Sequence, residues 1–242
     1  MLENREGQSI PSVTFKTRQN SEWVDVTSKE LFDNKKVVVF ALPGAFTPTC
    51  SSSHLPRYNE LHPVFKDNGI DDIYCLSVND TFVMNTWQED QGADNITMLP
   101  DGNGEFSKAM GMLVDKSNLG FGDRSWRYAM IVNHGVIETM FIEPEVEGDP
   151  FGVSDADTVL KHINPEARAL PTVTIITRKG CPHCTRAKEL LNARGLPFEE
   201  VELNQSITSR SLTAFSGAHT TPQIFMDGKL IGGADDLQAY FN

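Results

Sequence analysis

Four cysteines are the residues of this 242-residue sequence best suited to chemistry. Cys181 and Cys184 form a C-x-x-C pair, Cys50 ends a loop rich in proline and threonine, and Cys75 lies in an apolar run. A cysteine at the start of a helix gains thiolate character from the unpaired N–H groups there, and the thiolate is the nucleophile. Cys50 and the C-x-x-C pair each precede or open a predicted helix, so the sequence predicts thiol redox chemistry at two sites.

The C-x-x-C pair lies between a predicted strand and a predicted helix. We expect Cys181, at the helix N-terminus, to be the attacking thiol, and Cys184, further along and less exposed, to be the resolving thiol. Pro182 suits the first helical turn because its missing N–H is not needed there, and Lys179 adds a nearby positive charge. Half of a zinc site is the alternative, but zinc normally takes four ligands and the sequence offers no second pair nearby, so no metal is predicted.

The octapeptide PGAFTPTC ends at Cys50 and connects a predicted strand to a predicted helix. Thr47 can donate a hydrogen bond to the sulfur or to a substrate oxygen, and Pro43 stiffens the loop. A cation is also needed to favour the thiolate. We expect Arg127 to supply it, because Arg127 lies in an apolar predicted strand where an unpaired buried charge would cost several kcal/mol. Arg124 is the alternative.

Strands and helices alternate through the first part of the sequence. Short apolar runs at 36–42 and 72–78 predict buried strands. Cys75 lies in the second run and is interpreted as a small buried hydrophobe, not as a resolving cysteine. His54 and His62 fall on the helix after Cys50 and are interpreted as structural or surface residues. Two helices are predicted, one over 51–68 with a kink at Pro56 and one over 80–91 capped by Asp80. Strands 126–133 and 136–142 are predicted to form a hairpin that turns at His134-Gly135. A further helix, capped by Ser154, is predicted to end near Ile163.

The elements after Pro165 predict a second domain. An Asn-Pro pair stops the preceding helix, and a new strand begins at Thr172. The order that follows is strand, helix, strand, helix, two strands joined by a turn, and a final helix. The sequence therefore predicts an α/β protein with a first domain over 1–165, a linker over 166–170 and a second domain over 171–242.

The acidic side chains are unevenly distributed. The whole net charge of −12 falls in the first 170 residues, because acidic and basic residues balance in the remaining 72. An acidic first domain argues against nucleic acid or an anionic membrane surface as a partner. The N-terminus lacks the basic stretch and apolar run of a secretory signal, and no apolar run approaches the roughly 18 residues that cross a membrane. We therefore expect a cytoplasmic protein.

Three segments of the second domain together resemble glutaredoxins. They are CPHC at 181–184, TTPQIF at 220–225 and GGADDL at 232–237. The resemblance implies that Pro222 is cis and faces the attacking cysteine, and that glutathione is the reducing co-substrate. His183 and Thr221 stand where Tyr and Val are usual, and neither departure is expected to touch the thiol chemistry. The residues that the resemblance assigns to glutathione are Lys179, Thr221, Pro222, Gly233, Asp235 and Asp236.

The first domain resembles peroxiredoxins. PGAFTPTC matches the P-x-x-x-T-x-x-C signature of that family and in full looks like its fifth subfamily, and CLSVND at 75–80 and the strand at Arg127 match as well. The active-site residues that the resemblance implies are Pro43, Thr47, Cys50 and Arg127. It also implies dimerisation through the active-site face. Both domains would be thioredoxin-like, each with a mixed central sheet flanked by helices, in a homo-oligomer that is a dimer or a tetramer.

Taken whole, the chain resembles the bacterial hybrid peroxiredoxin–glutaredoxins. This resemblance implies a thiol peroxidase that reduces hydrogen peroxide and alkyl hydroperoxides through a sulfenic acid at Cys50. Cys181 and Cys184 would then use glutathione to return Cys50 to the thiol. One alternative is a general glutathione-dependent disulfide reductase or deglutathionylase whose first domain is a scaffold. Another is a non-enzymatic redox sensor or cluster-holding protein.

Overall fold

Two units make up the computed structural model, which describes residues 2–146 and 148–242. The first unit ends at Ala169, and the second spans Leu170–Asn242. Each unit has its own sheet flanked by helices and its own buried apolar core. The α/β fold class predicted from the sequence is therefore confirmed for both.

The first unit is built on a five-stranded sheet, with two short hairpins beside it. Its strands are β1 (Thr14–Gln19), β2 (Glu22–Thr27), β3 (Lys36–Leu42), β4 (Asp72–Ser77), β5 (Thr97–Pro100), β6 (Leu113–Asp115), β7 (Asp123–Ser125), β8 (Tyr128–Asn133) and β9 (Val136–Ile142). Its helices are α1 (Ser28–Phe32), α2 (Leu55–Asp67), α3 (Thr81–Asp90), α4 (Glu105–Ala109) and α5 (Ala156–Ile163). A π-helical turn, Cys50–His54, precedes α2, and a 3-10 turn, Ser117–Leu119, precedes β7.

The strand β3 lies at the centre of the sheet, whose order is β5-β4-β3-β8-β9. β3, β4 and β5 run parallel, whereas β8 is antiparallel to β3 and forms a hairpin with β9. Every residue of β3 after Lys36 is buried, as expected for a β-branched strand inside a sheet. The loop that carries Cys50 therefore leaves the sheet at the carboxyl end of its central strand, where the ends of parallel strands commonly form sites.

The helix after Cys50 begins with a wide turn. The N–H of Leu55 donates to the carbonyl of Cys50, five residues back. Pro56 has no N–H to offer the carbonyl of Ser52, and its ring would crowd that carbonyl in a regular α-helix, so the wider turn relieves a clash. The turn buries Cys50 and His54 together.

Two details of the first unit differ from the predictions. Ser154 does not cap α5, because Asp155 does so by accepting a backbone N–H of the first turn. The hydroxyl of Ser154 is buried and donates instead to Glu143, a tertiary partner that the local sequence does not reveal. Arg127 lies in the connection before β8 and not inside the strand, which begins at Tyr128.

The second unit has a four-stranded mixed sheet in the order β11-β10-β12-β13. Its elements are β10 (Val173–Thr177), α6 (Pro182–Asn192), β11 (Glu199–Glu202), α7 (Ser209–Ser216), β12 (Gln223–Met226), β13 (Lys229–Gly232) and α8 (Ala234–Tyr240). β10 is parallel to β11 and antiparallel to β12. The order of elements agrees with the prediction, and the peptide bond between Thr221 and Pro222 is cis.

Candidate active site

The first candidate site surrounds Cys50, which is fully buried at the start of the π-helical turn. Arg127 is 1% exposed, and its Nη1 lies 3.5 Å from the Cys50 sulfur and 3.0 Å from His54 Nδ1. Its Nη2 donates to both carboxylate oxygens of Asp149, at 2.5 and 2.6 Å. One end of the buried cation therefore faces the thiol, and the other end faces a carboxylate.

One N–H of Arg127 is left over in this arrangement. Within residues 2–146 and 148–242, the buried Nε–H has no hydrogen-bond partner. The ring of Phe151 lies 5.5 Å from the guanidinium carbon and closes one side of the group. A buried donor without an acceptor costs about 1–3 kcal/mol, so the site favours an additional oxygen ligand beside Arg127.

His54 is a neutral hydrogen-bond acceptor for Arg127. Burial, and secondly the charge of Arg127, lower the pKa of His54 to about 3. Its Nε2 lies 3.1 Å from the carbonyl oxygen of Ser154 and so carries the proton, which leaves Nδ1 to accept from Arg127. The interpretation of His54 as structural missed this contact with Arg127. The spacing of four residues from Cys50, which places both on one face of a helix, was the available signal.

Glu143 holds the segment that packs against Arg127. Its carboxylate accepts the backbone N–H groups of Gly152, Val153 and Ser154, and the Ser154 hydroxyl, all at 2.8–2.9 Å. Burial alone would raise the pKa of Glu143, but these hydrogen bonds lower it overall. The segment 149–154 supplies Asp149, the Phe151 ring and the Ser154 carbonyl. Sequence reasoning missed Glu143 and Asp149, since no local pattern distinguishes them from the other acidic residues of this unit.

Two predicted loop residues lie on the approach to Cys50. Thr47 donates its hydroxyl hydrogen bond to the carbonyl of Gly44 at 2.9 Å, within the loop, and not to the Cys50 sulfur. Pro43 is half-buried where the loop leaves β3. Thr47 must therefore exchange its backbone acceptor before it can donate to a substrate.

The remaining candidates of the first unit are separated by their contacts. Arg124 donates to the carbonyl of Val78 at 2.6 Å, so Arg127 and not Arg124 is the arginine in contact with Cys50. Cys75 is fully buried in β4. Burial, and secondly the nearby sulfur of Cys50, raise the pKa of the Cys75 thiol well above its ordinary value. A thiol of this kind is a poor nucleophile.

The second candidate site lies at the start of α6, where Cys181 is the N-cap. Its sulfur accepts the N–H of Cys184 at 3.3 Å and the hydroxyl of Thr221 at 3.8 Å. Burial alone would raise the pKa of Cys181, but hydrogen bonds to its sulfur lower it overall. Cys184 is 3% exposed, and burial, followed by its contact with Cys181, raises its pKa. The pair thus consists of one accessible thiol that ionises readily and one sheltered thiol that does not.

The hydroxyl of Thr221 contradicts one expectation. The departure from Val at this position was not expected to affect the thiol chemistry, yet the hydroxyl donates to Cys181 and contributes to its lowered pKa. The prediction was wrong because Thr221 lies 40 residues from Cys181 in the sequence, and only the tertiary fold brings them together.

Some predicted glutathione residues lie beside a cavity at the cysteine pair, and others already have internal hydrogen-bond or ion-pair partners. Lys179 lines a cavity of about 210 Å³ together with both cysteines of the pair. The carboxylates further along are already engaged, because Asp235 forms an ion pair with Arg186 and Asp236 accepts the N–H of Gly233 at 2.7 Å. A ligand donor at this position would bind beside these internal partners or replace them, because a carboxylate accepts more than one hydrogen bond.

In residues 2–146 and 148–242, no group of three or more His, Cys, Asp or Glu side chains is placed to hold a metal ion. No helix in the same ranges is long and apolar enough to span a membrane.

Two family models match the chain in succession. The Redoxin model matches residues 5–160, which is more than half of the chain, and the Glutaredoxin model matches residues 173–231. Both families have the thioredoxin fold, so each matched region is a thioredoxin-like domain.

Proteins and structures of related sequence agree with these matches. The chain is 60% identical to the hybrid peroxiredoxin hyPrx5 of Haemophilus influenzae over 240 residues, which cover 99% of this chain and all of the relative. It is 58% identical to peroxiredoxin sll1621 of Synechocystis over 169 residues, covering 64% of this chain and 89% of the relative. The crystal structure of reduced Prx3 in complex with H2O2 from Vibrio vulnificus matches with a TM-score of 0.63 and 44% identity, covering 66% of this chain and 99% of that one.

Proposed function

Because this chain belongs to the redoxin family and is a peroxiredoxin–glutaredoxin hybrid, we propose that its thiol peroxidase activity uses glutathione as the reductant. The proposal takes residues 1–165 as the peroxidase domain, 166–170 as a linker and 171–242 as the reducing domain. It assigns hydrogen peroxide and alkyl hydroperoxides as substrates. The related protein from Vibrio vulnificus, crystallised with H2O2, supports the hydrogen peroxide part of that assignment.

The peroxide reacts at Cys50. The thiolate attacks one peroxide oxygen, the O–O bond breaks, and the leaving oxygen takes up a proton to depart as water or an alcohol. Cys50 is then a sulfenic acid. Arg127 favours the thiolate through Nη1, 3.5 Å from the sulfur, and its unpaired Nε–H is a donor for a peroxide oxygen. Thr47 supplies a second donor when its hydroxyl leaves the Gly44 carbonyl.

Glutathione and the second domain complete the cycle. Glutathione condenses with the sulfenic acid, releases water and leaves a mixed disulfide on Cys50. The Cys181 thiolate attacks the glutathione sulfur, which frees Cys50 as a thiolate and moves glutathione to Cys181. A second glutathione then attacks the bound glutathione, forms glutathione disulfide and frees Cys181, or Cys184 attacks Cys181, releases glutathione as a thiol and forms a disulfide that two glutathiones reduce. The lowered pKa of Cys181 and the raised pKa of Cys184 support this order of attack.

The reductant binds beside Cys181. We assign the cysteinyl part of glutathione to the backbone of Thr221, next to Pro222, and its glycyl carboxylate to Lys179. The glutamyl part is assigned to Gly233 and to the two carboxylates that follow it. Their present partners are an exposed arginine and a backbone N–H, and ion pairs at exposed positions are worth only about 0–1 kcal/mol, so exchange is inexpensive.

The assembly and location belong to the same proposal. We propose a homo-oligomer, a dimer or a tetramer, in which peroxidase domains pair through the face that carries Cys50. We also propose that the protein is cytoplasmic, where glutathione keeps thiols reduced.

The contact between buried Arg127 and Cys50, in a chain that also carries a glutaredoxin domain, supports this function most directly. The test is hydrogen peroxide consumption with glutathione, glutathione reductase and NADPH as the only reducing system. Wild type is compared with Cys50→Ser, Cys181→Ser and Cys184→Ser. We expect the first two variants to be inactive and the third to keep substantial activity.

Other outcomes would decide against the proposal. If Cys181→Ser runs at the wild-type rate, the second domain does not serve the first and the self-reducing cycle is wrong. If Cys50→Ser keeps peroxide consumption, the chain acts through the C-x-x-C pair alone, as a general disulfide reductase would.

A further inference from the structure

We propose that Asp149 is a positioning residue that directs the guanidinium of Arg127 towards Cys50. The inference rests on the proposed roles of Cys50 and Arg127. It gives a role to Asp149, which has none in the proposed function. Both hydrogen bonds of the Asp149 carboxylate described above are to Arg127 Nη2. Asp149 would act only through the arginine.

The hydrogen bonds of Arg127 divide between its two ends. Nη1 is shared between the Cys50 sulfur and His54 Nδ1, whereas both contacts of Nη2 go to Asp149. A guanidinium is planar and rigid, so fixing Nη2 and Nη1 also fixes the plane in which the free Nε–H lies. Without Asp149, the hydrogen bonds at Nη1, to Cys50 and His54, would remain at one end of the group, and the guanidinium could rotate about that end.

Asp149 also supplies a charge that persists when Cys50 changes. The thiolate balances Arg127 before the reaction, but that charge is lost when Cys50 becomes a sulfenic acid or a mixed disulfide. A buried arginine without a counter-ion is strongly destabilising. The carboxylate of Asp149, 2.5 and 2.6 Å from Nη2, is a counter-ion whose charge does not depend on the state of the sulfur.

Asp149 is held in place by more than its own side chain. It begins the segment whose later residues, 152–154, donate to the buried carboxylate of Glu143. Between them, the Phe151 ring packs on both the guanidinium and His54, with a centroid 4.9 Å from the His54 ring. The carboxylate is therefore presented by an anchored segment, which distinguishes it from an ordinary surface ion pair.

The charge of Asp149 and the orientation that it gives Arg127 have opposite effects on the reactivity of Cys50, and this makes the inference testable. A carboxylate beside Arg127 weakens the pull of the guanidinium on the thiolate, so its removal leaves the thiolate as populated as before, or more so. Loss of orientation, in contrast, slows the reaction with peroxide, because a donor that is poorly placed stabilises the transition state less. A positioning role predicts a slower reaction without a smaller thiolate population.

The experiment uses the full-length chain with Cys181 and Cys184 both changed to Ser, so that Cys50 is the reactive thiol. Asp149→Asn and Asp149→Glu are compared with Asp157→Asn, which removes an aspartate of similar exposure from an ion pair with Arg57 in the same unit. Two quantities are measured: the rate of Cys50 oxidation by hydrogen peroxide, and the pH midpoint of thiolate formation from its ultraviolet absorbance. Thermal unfolding is recorded for each variant.

We expect Asp149→Asn to slow oxidation about tenfold or more, as loss of a charged hydrogen bond would, with a midpoint that is unchanged or lower. Asp149→Glu should recover part of the rate, and Asp157→Asn should match the parent chain. A faster reaction in Asp149→Asn would overturn the inference, because it would show that the charge of Asp149 only weakens the effect of Arg127 on Cys50. An unchanged rate, or a loss of rate matched by a higher midpoint, would overturn it as well. If the parent chain itself does not react with peroxide at Cys50, the proposed function fails instead.

Discussion

Cys50 and Cys181 occupy the same place in their units but have different polar partners. Each follows an inner strand, β3 or β10, and opens a helical segment. Cys50 is enclosed, and its partner is the full charge of a buried arginine. Cys181 is partly exposed, and its sulfur accepts a backbone N–H and a threonine hydroxyl.

The difference suits the size of the partner that each thiol must meet. An enclosed sulfur beside a fixed cation can react with a molecule as small as a peroxide, and the cation stabilises the oxygen that leaves. A sulfur at an open helix start can meet a disulfide on a larger partner, and weaker donors suffice because the leaving group is itself a thiolate. One fold therefore supports both reactions through the residues that surround the helix start.

The largest effect that would separate the two sites is expected at Arg127. Arg127→Gln removes the cation beside Cys50 and leaves Asp149 without its partner, so oxidation of Cys50 by peroxide should slow about a hundredfold or more. Reduction of a small glutathione mixed disulfide by Cys181 should not change. Arg124→Gln is the matched control and should react at nearly the wild-type rate. The comparison between the sites breaks if both arginine variants are equally slow.

A second difference is expected in the response of the first unit to pH. The folded-state pKa of His54 is about 3, below the ordinary 6.5, so protonation favours the unfolded chain. This contribution to stability is complete above about pH 6.5 and is lost as pH falls towards 3. By linkage it amounts to about 2 kcal/mol between pH 8 and pH 5.

Urea unfolding of His54→Asn against wild type measures this contribution. The asparagine cannot titrate in this range, so the variant should lose about 2 kcal/mol less than wild type on acidification. The exposed His162→Asn on α5 serves as the control and should follow wild type. Parallel pH profiles for wild type and His54→Asn would show that His54 is not the buried neutral group described here.

The smallest effect is expected at the open site. Thr221→Val preserves the shape of the side chain and removes the hydroxyl that donates to Cys181, so the pKa of Cys181 should rise. At neutral pH, iodoacetamide should then alkylate Cys181 severalfold more slowly, because less of the thiol is ionised. The alkylation rates of wild type and Thr221→Val should converge at high pH, where Cys181 is a thiolate in both proteins.

The half-buried Thr213 on α7 offers the control substitution Thr213→Val, which should leave alkylation of Cys181 unchanged. Oxidation of Cys50 should also be unaffected in Thr221→Val. Equal alkylation of Thr221→Val and wild type would restore the original expectation that this hydroxyl has no part in the thiol chemistry.

Much of the scaffold could be predicted because its signals are local. β3 matches the apolar run at 36–42, Asp80 caps α3, and the seven elements of the second unit follow in the expected order. The hairpin of β1 and β2 was not predicted, since only one of its residues is buried and the strands lack a strong apolar alternation. The sequence predicts a kink at Pro56 but does not predict the π-helical turn before it.

The sequence by itself determined where the two reactive thiols and their loops lie. Cys50 and Cys181 are identified by residues within a few positions of them, and helix N-termini and prolines act over the same short range. Local spacing also distinguished Cys181 from Cys184, because the N-cap of a helix is more open than the residue three positions later.

The tertiary structure alone decided which polar groups contact each thiol. Arg127 lies 77 residues from Cys50, and Thr221 lies 40 residues from Cys181. Asp149 is one of many acidic residues until the chain folds against Arg127. Burial of a charge in a shared low-dielectric space depends on every element that encloses it, and no window of sequence contains that information.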